Sequence, residues 1–372
     1  LSFEEFSEVY ISSGACWYNH PEYYGSLAKS TSLLYPYYIA AYDKEVLKAI
    51  MYMQVVEFPM GSLLQRLKSG KGVISIILHA LLCYLAKFKW LIASYGNLYF
   101  IPDTGCLFDK NVSKIEKENI VAAIHRYIEK SPEFKGIKAF MFSNITEEKK
   151  HNVPNCFGVF EVDPVMVLKI RPNWQHFNDY LEALSSKYRV RLKKVLQVSK
   201  PIISKDMTWD ELQSKESIIY HLYKEVAINA DFNISYLGES YFTLVKKTLP
   251  DKFFIQGYYI EDKLIGFVSY FLEDKQIHIH YMGMDYTLYA QYKLYNRMLS
   301  DFVRIGIENQ VKMVDFGRTA TEIKSTLGAI PQRIFTFIKF NNKLLNLFLT
   351  IILRNFEIQP YIIRNPFRSD DE

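Results

Sequence analysis

Cysteine is scarce in this chain. The 372 residues hold four, Cys16, Cys83, Cys106 and Cys156, spaced far apart and without a C-x-x-C pair. That spacing excludes a zinc ribbon and a dithiol redox motif, and it fits reduced thiols in the cytoplasm. Glycine and proline are also few, at 16 and 13, which excludes a collagen-like, linker-like or low-complexity protein. No apolar run reaches the about 20 residues that a spanning helix needs. The N-terminal stretch has no basic segment leading into an apolar one, so no signal peptide is read there. The sequence begins at Leu1 rather than methionine, as a piece of a longer chain would. Charge of one sign is not in excess either: 45 basic residues face 40 acidic ones, a formal net charge of +5. That is too mild to argue for nucleic acid without a stripe of Lys and Arg.

What the chain has in quantity is aromatic surface. Twenty-eight Tyr and 26 Phe, with apolar residues at 49% and charged ones at 23%, describe a folded globular protein. Its aromatics line deep clefts, or meet a greasy ligand or a membrane interface. The length suits two domains, and the punctuation around Pro154 and Pro172 puts their boundary near residue 160, giving 1–160 and 161–372.

In the first half, β-prone stretches at 37–41 and 49–56 flank Asp43-Lys44-Glu45 and predict a hairpin. Residues 73–86 are apolar and too long for one strand, so a helix is predicted. Residues 90–94 predict a buried strand running into Tyr95-Gly96-Asn97, and 138–142 another. The spacing of Ile120, Ile124, Tyr127 and Ile128 predicts a helix over 116–130. In the second half, helices are predicted over 174–198, 217–228 and 240–249. Three strands follow, at 253–260, 264–272 and 276–283, joined by Glu261-Asp262-Lys263 and Glu273-Asp274-Lys275. A helix over 288–307, a strand over 311–316, a short helix over 321–327 and a strand over 334–340 complete the order. Such an order predicts an α/β fold of mixed α+β layers, not a doubly wound Rossmann sheet.

Several clusters carry chemistry. In Gly317-Arg318-Thr319 a strand ends in a glycine that permits positive φ or close approach, and the short helix beyond presents Glu322 and Lys324. A strand-to-helix turn with solvated charges explains the same letters. His278 and His280 sit two apart on one strand and so share a face. They suit a general base beside a reacting carbonyl, or are two partly exposed strand histidines. H-x-H lacks a third ligand at recognisable spacing, so no metal site is read. On the 174–198 helix, Leu184, Tyr188, Leu192 and Val195 form an apolar stripe. Lys187, Arg191 and Lys194 line one edge of it and Arg189 and Lys193 the other, as solvated flanks or as a clamp for an anionic donor. Residues 344–353, apolar between Lys343 and Arg354, are too short to span a bilayer. They pack on the domain or lie at a membrane interface. Residues 61–72 hold three glycines and three basic residues but lack the phosphate-loop pattern, and predict a mobile loop.

The second half resembles the GNAT-fold N-acyltransferases of the FemABX type, in which two GNAT-like domains stand in tandem, and is most similar to bacterial members of that group. The resemblance rests on Trp174…Phe177…Tyr180-Leu181…Leu184…Lys187-Tyr188-Arg189…Arg191, on Gly266-Phe267 in the meander and on Tyr292…Leu294-Tyr295. It also rests on Gly317-Arg318-Thr319…Glu322-Ile323-Lys324…Leu327-Gly328. It covers residues 160–340. In the first half it rests on Trp17…Pro21-Glu22-Tyr23 and the Gly96-Asn97 turn. It implies transfer of an acyl group from a thioester, with acyl-CoA as co-substrate and no bound cofactor. The acceptor would be a primary amine on a lipid or cell-envelope precursor. Under that implication His278 or His280 is the base, with Glu322 the alternative, and Tyr281 or Tyr295 protonates the leaving sulfur. Asn97, Arg318, Thr319 and Lys324 bind substrate, while Lys187, Arg191 and Lys194 hold the donor.

One departure stands out. Where a simple acetyltransferase cradles the CoA pyrophosphate on a glycine-rich loop, this chain reads Gly283-Met284-Asp285-Tyr286-Thr287-Leu288, a poor anion nest. A Fem-like aminoacyltransferase using aminoacyl-tRNA is the alternative enzyme, although no heptad run long enough for a coiled-coil arm is present. A catalytically inactive GNAT fold serving as a binding module is the third reading. A cytoplasmic place is expected, with contact at the inner membrane face through 344–353 as a further expectation.

Overall fold

The computed structural model describes residues 4, 6, 21–31, 34–59, 83–84, 87–98, 105–229, 236–347 and 361–368. The loop over 61–72, Cys16, Trp17, most of the helix over 73–86 and residues 348–353 lie outside them. The chain forms two compact units. The first is Leu1–Val162 with Asp231–Leu237 and Arg333–Ile358, and the second is Asp163–Ala230 with Gly238–Gln332 and Gln359–Glu372.

In the first unit, helix α1 (Pro21–Ser30) precedes strands β1 (Leu34–Asp43) and β2 (Val46–Pro59), which form the expected hairpin in antiparallel register Tyr38↔Tyr52. Lys44 takes the left-handed position of its turn, φ 56°. Strand β3 (Lys89–Tyr95) pairs β2, β4 (Cys106–Phe108) pairs the start of β2, and β5 (Ala139–Thr146) runs parallel to β3. Helix α2 (Lys114–Lys130) opens on a capping box between Ser113 and Glu116. It buries Val121, Ile124, His125 and Ile128. Tyr127, expected on that face, is instead 60% exposed. The stripe is rotated because His125 is accommodated inside, its Nδ1 2.7 Å from Tyr95 Oη and its Nε2 3.1 Å from Lys339 Nζ.

In the second unit the chain continues from β6 (Gly158–Lys169) into α3 (Phe177–Ala183), α4 (Ser186–Val198), β7 (Ile203–Asp206), α5 (Trp209–Ser214), α6 (Glu216–Ile228) and α7 (Tyr241–Thr248). The meander follows as β8 (Phe253–Ile260), β9 (Lys263–Glu273) and β10 (Gln276–Met284). Then come α8 (Tyr286–Tyr292), α9 (Leu294–Glu308), β11 (Met313–Asp315) and α10 (Thr321–Ser325). The strand order is β6-β11-β10-β9-β8-β7, with β10 and β11 parallel and the other pairs antiparallel. Ile277, Ile279 and Val314 meet Leu294, Met298 and Phe302 of α9 in one buried core. On the opposite face α6 comes so close that a Cβ on Gly283 would stand 2.7 Å from Tyr223 N.

Three expectations are corrected. The helix over 174–198 is two helices, parted where Leu184 bridges Phe367. The helix over 288–307 is also two, parted at Lys293, whose φ of 51° cannot continue a helix. The last strand, β12 (Ile330–Phe340), leaves the second unit and pairs β5 antiparallel, Ile338↔Met141. Residues Arg333–Ile358 therefore group with the first unit rather than with the whole of 161–372. Among the described residues no helix is long and apolar enough to cross a membrane. Of the 344–353 stretch, Leu344 and Leu347 are exposed at 75% and 62%.

Candidate active site

Strands β10 and β11 pair for three residues only, ending at His278↔Asp315. Beyond this point β10 runs on to Met284, while the chain leaves β11 through Gly317, Thr319 and Ala320, with φ of 70°, 63° and 47°. The two strands therefore part at His278. Gly317 stands at the parting, where a Cβ would lie 3.9 Å from Ile279 O. In the same stretch β10 bulges. Ile279 faces Tyr270 and Met282 faces Val268, so His280 and Tyr281 together oppose Ser269. Ser269 Oγ pins the bulge, accepting from Tyr281 N and donating to Tyr281 O, both at 3.0 Å.

Asp315 is the hub of the parting. Its Oδ1 accepts from Gly317 N at 2.7 Å and its Oδ2 lies 3.3 Å from His278 Nδ1. Lys324, only 2% exposed, donates from Nζ to Arg318 O at 2.5 Å and to Gly317 O at 3.2 Å. Burial pushes its ammonium down to about 7, against the pull of the Asp315 charge. His280 is a different case. Its Nε2 lies 2.6 Å from Tyr241 Oη, and its ring packs against Phe271 and Tyr281. Burial pushes it down to about 3, so the imidazole is neutral.

A cleft of about 300 Å³ is lined by Tyr188, Arg191 and Lys194 of α4, by Lys293 and Asn296 at the start of α9, and by Ile323 of α10. Two of the three basic residues expected on this edge of α4 thus face one cavity. Lys187 is not part of its lining and lies 5.8 Å from the Tyr188 ring centre. The helix that follows β10 offers no anion seat. Asp285 caps α8, accepting from Thr287 N at 2.9 Å, and pairs with Lys263 at 2.9 Å.

The remaining candidates are spread out. Glu322 is half-exposed on α10 and forms an ion pair with Arg364 at 2.5 Å, so its carboxylate faces a cation rather than the histidines. Arg318 is half-buried and Thr319 exposed in the turn. Tyr281 packs edge-on against Tyr223 of α6. Tyr295 is held well above the usual phenol range by burial. Asn97 belongs to the first unit, just past β3. Asp315, Tyr241, Lys293 and Asn296 were not singled out from the sequence. Only the parallel register of β10 and β11 brings Asp315 to His278, across a gap of 37 positions. Among the described residues no group of three or more His, Cys, Asp or Glu side chains could hold a metal ion.

No protein-family model matches the chain, and no curated protein does either. Solved structures do match. FemX aligns with a TM-score of 0.53 and 9% identity, covering 94% of this chain and 98% of its own. L-PGS from Bacillus licheniformis aligns at 0.52 and 10%, covering 95% and 96%. The C-terminal domain of an Agrobacterium fabrum protein assigned as a lysylphosphatidylglycerol synthetase aligns at 0.51 and 8%, also covering 95% and 96%. The fold is of the FemABX-like GNAT type.

Proposed function

We propose that the second unit transfers an acyl group from an activated donor to a primary amine, at the parting of β10 and β11. The observation that carries this reading is Lys324: a buried amine poised near neutrality, beside an Asp–His pair, where two strands separate. Attack by an amine on a carbonyl needs a proton acceptor, a partner for the developing oxyanion and a proton for the leaving group. As a neutral amine Lys324 keeps two N–H bonds for the carbonyls of Gly317 and Arg318, and its lone pair takes a proton. As an ammonium it gains a third N–H, available to the oxyanion or the leaving atom.

Of the two histidines, His278 is the base in this reading. The Asp315 carboxylate beside Nδ1 favours the tautomer protonated there, which leaves Nε2 to take the proton. His280 stays neutral across the working range and holds the bulge against α7. Glu322, paired to Arg364, has no part in proton transfer.

Acyl-CoA is the donor in the first form of the proposal, its phosphates taken by Arg191, Lys194 and Lys293. Aminoacyl-tRNA is the second, favoured by the Asp285 carboxylate that occupies the helix end where a pyrophosphate would otherwise sit. The name lysylphosphatidylglycerol synthetase among the structural neighbours supports an aminoacyl group as cargo and a lipid as acceptor. A binding module without catalysis has no need of a poised lysine in its interior. The test supplies purified protein with acyl-CoA thioesters or charged tRNAs and with amine-bearing lipids and peptides, and follows amide formation by mass spectrometry. Amide formed by the wild type and lost in Lys324→Met supports the reading; equal amide yield from Lys324→Met overturns it.

A further inference from the structure

Residues 361–368 contact parts of the second unit that lie 39 or more positions earlier in the sequence. It ties together the two elements that wall the cleft. At one end the Arg364 guanidinium holds Glu322 of α10, and Arg364 N donates to Ser325 Oγ at 3.0 Å. At the other, Ser185 N donates to Pro366 O at 2.8 Å, and Arg368 N donates to Ala183 O at 3.1 Å, across the break between α3 and α4. Between them the Phe367 ring packs 5.6 Å from Trp174, with the Arg171 guanidinium 4.4 Å above it. Gly328, at φ 92°, comes so near that a Cβ there would stand 2.3 Å from the ring. Tyr180 Oη, beside the same ring, donates to Leu327 O at 3.0 Å.

This arrangement answers a mechanical need. Helix α10 has five residues, far below the roughly 12 at which a helix is marginal on its own, and it starts from two left-handed residues. It cannot hold itself in place, yet it carries Lys324 inward and Ile323 into the cleft. The outer ion pair is half-exposed and supplies little energy, so within residues 364–368 the hold comes mainly from the seated Phe367 ring.

We infer that residues 364–368 form a clasp whose Phe367 is a positioning residue for Lys324, fixing α10 against the α3–α4 junction so that the amine stays buried beside Gly317 and Arg318. As a statement about catalysis this rests on the proposed acyl transfer; as a statement about the environment of Lys324 it does not.

The test needs no substrate. Wild type, Phe367→Ala and the conservative Phe367→Leu are labelled with acetic anhydride across a pH series, and mass spectrometry gives the titration midpoint of the Lys324 amine. Hydrogen exchange of amides 324–328 is followed beside that of β8 and β9. Expected are a midpoint raised by about one unit or more in Phe367→Ala, as the amine gains water, and one near the wild-type value in Phe367→Leu. Exchange in 324–328 should rise by about tenfold or more in Phe367→Ala, with β8 and β9 unchanged. An unmoved midpoint in Phe367→Ala overturns the inference. So does exchange that rises equally in β8 and β9, which marks general loosening of the unit. A shifted midpoint in a protein that forms no amide with any donor keeps the clasp and removes only the acyl-transfer reading.

Discussion

Replacing Lys324 by Met should stabilise the protein in mildly acidic solution and lose much of that advantage in alkali. The ammonium, ordinarily at 10.5, is pushed down to about 7 because the side chain is buried. At about 1.4 kcal/mol per unit, the folded state carries an unfavourable contribution of about 5 kcal/mol whenever the amine is charged. The sign follows from proton counts. Below pH 7 both folded and unfolded chains hold the proton and the full cost applies. Between pH 7 and 10.5 the folded amine has released it and the unfolded one has not, so stability climbs with pH. From pH 6 to 8.5 the climb is about 2 kcal/mol.

Methionine removes the charge and fills similar volume, but it withdraws two donors. Gly317 O keeps another partner in Met166 N at 3.0 Å, so the main loss is at Arg318 O, about 1–3 kcal/mol. Lys324→Met is then more stable than wild type by about 2–4 kcal/mol at pH 6, and by about 2 kcal/mol less than that at pH 8.5. Urea titrations of both proteins at the two pH values, followed by tryptophan fluorescence, measure the difference. A variant less stable than wild type at pH 6, or a difference that ignores pH, would falsify the poised amine and remove the observation on which the proposed function stands.

His278→Gln should cut turnover by roughly 10²–10⁴, whereas His280→Gln should leave it far closer to wild type; steady-state kinetics of each variant decides. Arg191→Glu with Lys194→Glu should raise the donor KM and erase its salt dependence, while Lys187→Glu, outside the cleft, should leave both near wild type in a salt series. His125, pushed down to about 4 by burial, stays neutral in the folded first unit while the unfolded chain binds a proton below pH 6.5. Stability should therefore fall by about 2 kcal/mol between pH 7 and 4.5, and His125→Gln should flatten that loss in urea titrations at the two pH values.

Elements set by local pattern were legible in the sequence, and elements set by distant contact were not. The meander strands fall within a residue or so of their expected ends because alternation defines them and the turns accept left-handed backbone at Glu261, Asp274 and Lys275. The breaks at Leu184 and Lys293 carry no glycine or proline to announce them. One coincides with the bridge to Phe367, more than 180 positions away. The other places a basic side chain in the cleft at the cost of a left-handed residue. Likewise β12 reads as a strand from its own letters, but only its register with β5 shows that it returns to the first unit.

The site shows the same limit more sharply, because its chemistry lies in partners rather than in residue types. His278 and His280 have the same side chain and the same strand phase, so no periodicity tells their surroundings apart. What separates them is that β11 delivers a carboxylate to one and α7 a phenol to the other. Lys324 goes further. In the sequence it is a charge that orients an anion; in the fold it is 2% exposed, and burial pushes its ammonium down to about 7. An exposed lysine at the same position would remain an ammonium throughout that range and could only attract. In the proposed acyl transfer, solvent exclusion by α10 is therefore what would convert an orienting charge into a proton-transfer group. In that reading the segment that seats α10 belongs to the chemistry as much as the lysine does.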